Sequence, residues 1–188
     1  MSQHSDITIK AMMGTYPKTQ GLTYPPGTKI TFEFPAKKDR GPIKLVWHDG
    51  SIVIPTPSEF EEGYKVPDTG AIIFGDKGMI VHGSHGAGGC RLHPDPVREA
   101  FSGKNAPAEK IKRVKGHQWD WLDAIKTGRQ AGSNFEYGAR LTQVALLGAI
   151  AIQHPGETLL WDDKKAVITN NRLANAMVHP AYRKGWSL

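Results

Sequence analysis

The 188 residues, 39% apolar and 22% charged, are enough to bury a core without staples and too mixed in composition for disorder throughout. The net charge of +6 comes from 24 Lys and Arg interspersed with 18 Asp and Glu; the densest basic stretch, Lys110 to Lys115, alternates with apolar residues and carries no stacking aromatics, so no nucleic-acid partner is expected. No run approaches the roughly 18 apolar residues of a membrane span, so no membrane partner is expected, and the single Cys90 excludes an intrachain disulfide.

Met1 to Asp6 has neither the basic start nor the apolar core of a secretory signal, and a lone cysteine gives no clue to the redox compartment, which leaves cytoplasm and periplasm both open. Asp6 to Met13 alternates as a strand does, Ile7 and Ile9 on one side and Thr8 and Lys10 on the other. Gly14 to Thr28, punctuated by Pro and Gly, reads as a loop. Lys29 to Phe34 alternates again, and Ile43 to Trp47 follows a polar turn, which predicts an antiparallel pair. Gly50 to Gly70, with Pro55, Pro57 and Pro67, is a long surface excursion of the kind that more often carries function than not. Ala71 to Phe74 and Met79 to His82 flank Gly75-Asp76-Lys77-Gly78, a hairpin signal because glycine tolerates the positive φ of tight turns. Ile72, Phe74, Ile80 and Val81 are its expected core residues.

The second half turns helical. Gln118 to Lys126 spaces Gln118, Trp121, Leu122 and Ile125 on one apolar helix face, closed by Thr127-Gly128. Ser133 and Glu136 have capping-box spacing, which predicts a helix from there to about Gln153. Its buried stripe is Leu141, Val144, Ala145, Gly148, Ala149 and Ile152, and Gly138 and Gly148 permit close approach to a sheet. Thr158 to Trp161 and Ala166 to Ile168 are short strands, and Asn171 to Met177 a last short helix. Strands first and helices later predict an α+β fold: a mainly antiparallel or mixed open sheet with helices packed on one face, in one domain over residues 1–188.

Few motifs carry chemistry. Gly83 to Gly89 is glycine-rich and follows a strand, but it leads into Cys90-Arg91-Leu92-His93-Pro94 rather than the helix whose terminal amides a phosphate cradle needs. His82, His85, Cys90 and His93 are all possible zinc ligands, and a zinc-dependent protein would use them together. Strand alternation from His82 scatters their side chains, so no metal is expected. No Gly-x-Ser-x-Gly elbow is present, and Asp120 and Asp123 read as the solvated side of a helix. His117 with Trp119 and Trp121 could wall a sugar ring, and Tyr182, Arg183 and Lys184 form a polar cluster near Trp186. Arg91 is the remaining binding candidate.

Several segments, taken in order, resemble one family. They are Gly132 to Gly148 (GSNFEYGARLTQVALLG), Gly116 to Ala124 (GHQWDWLDA), Leu160-Trp161-Asp162, Ala181 to Trp186 (AYRKGW), Ile30 to Pro35, Lys44 to Gly50 and Phe74 to Gly78. Together they look like the C-terminal sheet domain of the glucose-fructose oxidoreductase/inositol dehydrogenase (Gfo/Idh/MocA) family, bacterial branch. The resemblance implies a domain that shapes a sugar or polyol pocket and builds a homo-oligomer through its open sheet face. It implies NAD or NADP for the full-length enzyme. The family's glycine fingerprint, its Glu-Lys-Pro segment and the Asp/His helix opening its second half have no counterpart here. This chain alone is therefore expected to bind no cofactor, to hold no catalytic residue and to be inactive in isolation. The substrate-binding candidates are His117, Trp119, Tyr182, Arg183, Lys184 and Arg91. The other reading is a stand-alone carbohydrate-binding or assembly protein that kept the fold without the chemistry.

Overall fold

The computed structural model describes residues 6–13, 23–50, 52, 54, 56–84 and 87–186. In chain order the elements are β1 (Asp6–Met13), β2 (Gly27–Phe34), β3 (Ile43–Gly50), β4 (Gly70–Gly75), β5 (Gly78–Gly83), β6 (Arg91–His93), α1 (Asp95–Ala100), a 3₁₀ turn (Gly103–Asn105), α2 (His117–Thr127), α3 (Phe135–Ile152), β7 (Thr158–Asp162), β8 (Val167–Ile168) and α4 (Arg172–Val178). The fold is α+β, with antiparallel strand pairs in two open sheets. The chain divides into two compact units, residues 54–115 forming one and the segments before and after them the other. No described helix is long and apolar enough to cross a membrane.

The larger unit is a five-stranded sheet in the order β3-β2-β1-β7-β8. Alternation decides its two faces. Ile7, Ile9 and Ala11 of β1, Ile30 and Phe32 of β2, and Leu159 and Trp161 of β7 form the core with α3 and α4. Their neighbours in sequence, among them Lys10, Lys29, Glu33 and Thr158, stand on the other side and are exposed. Helix α3 packs on β1 and β2. The closest approach is at Gly148, where an added Cβ would lie 3.0 Å from Phe32 Cζ and 3.3 Å from Ile30 Cδ1. Ala174 of α4 completes the core beside Ile168.

Helix α3 departs from its expected start. Its cap is Asn134, whose Oδ1 accepts from the Tyr137 amide at 3.1 Å. Asparagine caps as well as serine does, and with Phe135 as the first helical residue Glu136 stands one position too early to complete a capping box from Asn134. The buried residues are Leu147, Gly148, Ile150, Ala151 and Ile152, so only the C-terminal half lies on the sheet. Leu141, placed by periodicity in the stripe, is 63% exposed.

Helix α2 departs further. Its buried residues are Asp120 and Ala124, while Trp121, Leu122 and Ile125 of the expected inner face are exposed. A buried carboxylate is the anchor. Asp120 Oδ1 accepts from Arg129 Nη2 and Oδ2 from the Gly132 amide, both at 2.8 Å, which ties the helix to the turn leading into α3. Gly128 closes α2 in the left-handed conformation at φ 70°, as Thr127-Gly128 predicts.

The smaller unit is the sheet β4-β5-β6 with α1. Its core is Phe60, Met79 and Val81, with Tyr64, Val66 and Ile72 packed against them. Residues 57–64 of the long excursion therefore supply part of the core. Of the residues expected inside the hairpin, Val81 is buried and Ile72 packs against the core; Ile80 is half-buried and Phe74 is 57% exposed. β6 and α1 were not foreseen, because three residues show no period and Pro94 masks a helix start.

Candidate functional site

The residues expected to bind a sugar stand mostly exposed. His117 and Trp119 lie two positions apart in the first turn of α2, and side chains so spaced do not share a helix face. Trp119 is 55% exposed. Tyr182, Arg183 and Lys184 are exposed, and the Arg183 guanidinium sits 5.5 Å from the centre of the Trp186 ring, a cation-π pair that accounts for Arg183 without a ligand. Arg91, in the smaller unit, is committed to Asp95 at 2.6 Å, and that hydrogen bond raises the arginine's pKa.

The four possible zinc ligands have separate engagements where they are described. His82 Nδ1 lies 2.7 Å from the Gly83 carbonyl, Cys90 is exposed, and His93 is fully buried against Glu61. His85 lies outside the described residues. Among the described residues no three His, Cys, Asp or Glu side chains could hold a metal together. The glycine-rich segment joins β5 to β6, closed by a hydrogen bond from the Gly83 amide to the Gly88 carbonyl at 2.7 Å. With a strand after it in place of a helix, it does not fit a dinucleotide pyrophosphate.

His93 is the centre of an arrangement that sequence reasoning missed. Its Nδ1 lies 3.1 Å from Glu61 Oε2, while Glu61 Oε1 accepts from the Asp95 amide at 3.1 Å. The ring meets Phe60 and Tyr64 edge-on at 5.0 and 4.5 Å between centroids. Its Nε2 is buried without a partner. Glu61's carboxyl is held below its ordinary value first by its own backbone amide, then, against the opposing effect of burial, by His93 and Asp95. One carboxylate thus pins the excursion to both β6 and the start of α1.

In the larger unit, a shallow cleft of about 360 Å³ lies at the β2–β3 end of the sheet, lined by Thr8, Glu33, Pro35, Pro42 and Lys44 among others. Register sets Thr8 opposite Glu33, and Glu33 opposite Lys44, so hydroxyl, carboxylate and ammonium follow one another across three strands. Such a row can hydrogen-bond a polyhydroxylated ligand. No signal short of strand register could have found it.

Two exposed apolar surfaces belong to this unit. One is α2, with Trp121 at 60%, Leu122 at 40% and Ile125 at 63% exposure. The other is the edge strand β3, where Ile43, Leu45 and Trp47 stand on the helix side of the sheet, beyond the reach of α3, and are exposed. Trp47 is steadied by a hydrogen bond from Nε1 to Asp49 Oδ2 at 3.3 Å, and Asp49 Oδ1 accepts from both the amide and the hydroxyl of Thr28. Burial opposes ionisation of Asp49, yet these bonds together hold its carboxyl below the ordinary value.

Fold and surfaces define an α+β protein with an open sheet face rich in lysine and threonine and with uncovered apolar side chains on β3 and α2. No family model matches the chain, nor does any curated protein or solved structure.

Proposed function

We propose that this chain is the substrate-side and assembly domain of a nicotinamide-dependent sugar or polyol oxidoreductase, without catalysis of its own. One observation carries the reading: α2 is closed by Gly128 and anchored by the buried Asp120 carboxylate, yet presents Trp121, Leu122 and Ile125 to solvent. Contiguous exposed apolar surface on an ordered helix marks a contact waiting for a partner. The order of segments resembling the Gfo/Idh/MocA sheet domain and the α+β architecture support the same reading. The resemblance puts assembly on the open sheet face, whereas the apolar elements, α2 and β3, offer a second surface for a neighbouring domain or protomer. The Thr8, Glu33 and Lys44 row supplies the polar groups a sugar or polyol requires.

Two measurements on the purified chain test this. Light scattering at micromolar concentration is expected to give a dimer or larger species, and a strict monomer would remove the assembly role. Absorbance at 340 nm with NAD or NADP and a panel of sugars and polyols is expected to stay flat; turnover would overturn the assignment of the chemistry to residues outside this chain.

A further inference from the structure

The face of the five-stranded sheet opposite α3 carries an unpaired positive field. Register brings Lys10 of β1, Lys29 of β2, and Lys44 and His48 of β3 onto it, interleaved with Thr8 and Thr31. The three lysines are exposed, and no ion pair among the described residues involves any of them. His48 stands directly opposite Lys29, and its Nδ1 has no hydrogen-bond partner. Glu33 offsets part of this charge beside Lys44, and Met12, Val46 and Leu160 stand exposed on the same face between the lysines, where they can meet the apolar faces of sugar rings.

We propose that this face binds an acidic, carboxylate-bearing polysaccharide, with its carboxylates on Lys10, Lys29 and Lys44 and its hydroxyls on Thr8 and Thr31. Three arguments select that occupant. Strand spacing puts the lysine backbones roughly 8 to 14 Å apart, too dispersed for one small anion and suited to a chain that presents charge at intervals. A second protein is disfavoured, because the centres of protein interfaces are depleted in lysine, and two copies stacked through this face would set like charges together. Single-stranded nucleic acid is disfavoured because its bases stack on aromatic rings, and Phe32, Phe34, Trp47 and Trp161 all alternate onto the other side of the sheet. The inference does not need a nicotinamide enzyme, but it uses Thr8 and Lys44 of the row described above and competes with assembly through this face, so it requires any dimer to form through α2 or β3 instead.

The test is isothermal titration of the whole protein with polygalacturonate, against neutral dextran, polyphosphate, oligo-dT and a DNA duplex of matched charge. Binding to polygalacturonate is expected, weakening with salt as exposed ion pairs do. The Lys10→Gln/Lys29→Gln variant is expected to bind about tenfold more weakly, because each exposed pair contributes modestly. Lys110→Gln/Lys112→Gln is expected to bind as the parent does. His48 gives a local reading: burial and then Lys29 already hold its pKa down, so a carboxylate seated beside it moves its NMR titration upward. Equal or tighter binding of the nucleic acids or polyphosphate, an equal loss in both lysine variants, an unmoved His48, or a dimer that buries this face would each overturn the proposal.

Discussion

Phe32 fills the space that a side chain on Gly148 would need: a Cβ there would come within 3.0 Å of Phe32 Cζ. Phe32 is 3% exposed, so its ring has little room to withdraw. Gly148→Leu is therefore expected to destabilise the protein by about 2 kcal/mol through overpacking. Gly148→Ala should be close to neutral, because the helix propensity it gains, about 1 kcal/mol, is offset by the contact. Gly138 has nothing within 4 Å of such a Cβ, and Gly138→Ala should stabilise by about 0.5 to 1 kcal/mol. Urea denaturation of the three variants checks the order; a stabilised Gly148→Leu would show that the helix does not sit on β2 as described.

Asp120 is the hinge pin of α2. It is 7% exposed and takes Arg129 and the Gly132 amide on its two oxygens. Arg129 also bridges to Asp123 at 2.8 Å, and its pKa is raised first by that hydrogen bond and then by Asp120. Asp120→Ala removes the buried acceptor shared by Arg129 and the Gly132 amide and loosens the helix, at a cost of about 2 kcal/mol. Asp123→Ala, on an exposed residue, should cost far less. Hydrogen exchange across 117–127 distinguishes the two, since faster exchange is expected throughout α2 in the first variant and only marginally in the second. Similar exchange in both would show that packing, not this carboxylate, retains the helix.

These two residues also show what the sequence could and could not reveal. Period-2 alternation located β1 and β2, each with one face on a core and one in water, whereas β3, β4 and β5 were legible from the turns beside them, β3 having no buried face. The existence of α2 and α3 was legible from period 3.6, but not the depth of their burial. Trp121, Leu122 and Ile125 satisfy an amphipathic pattern whether their face meets the sheet or solvent, and Asp120 looked like the solvated side. The two glycines of α3 look alike in sequence, and only register against β2 tells Gly148 from Gly138. The row Thr8, Glu33 and Lys44, and the face bearing Lys10 and Lys29, need strand pairing across residues far apart in the chain. The Glu61 contact to His93 spans 32 residues and has no local signal.

That contact sets a third expectation. Glu61→Ala leaves His93 Nδ1 and the Asp95 amide without their shared acceptor, while the His93 ring stays enclosed by Phe60 and Tyr64. The amides of β6 and α1 should lose hydrogen-exchange protection. Adding His93→Phe removes the stranded imidazole and keeps a ring in the same space, so the double variant should recover part of that protection. A double variant less protected than the single one would show that His93 contributes by shape and not through its nitrogen.

Acid should weaken the fold in two stages. His48 is held below its ordinary value by burial and then by Lys29, so the unfolded chain takes up that proton first. Stability from neutral His48 is complete above the unfolded value near 6.5 and is lost as pH falls from there to the depressed folded value. Asp95 is held low first by Arg91 and then by Arg98, and Asp162 first by the Lys165 amide; Asp49 and Glu61 are lowered as well. Folded carboxyls with depressed pKa contribute stability that is present above the unfolded value near 4 and disappears as pH falls through the lower folded values. Urea midpoints should therefore decline slightly from pH 7 to pH 5 and steeply below about pH 4. His48→Gln should flatten the first segment and Asp49→Asn should shallow the second. Both segments can be read separately because the two groups of protons bind in different windows, and a midpoint that holds or rises on acidification would reverse the sign argued for every one of these groups.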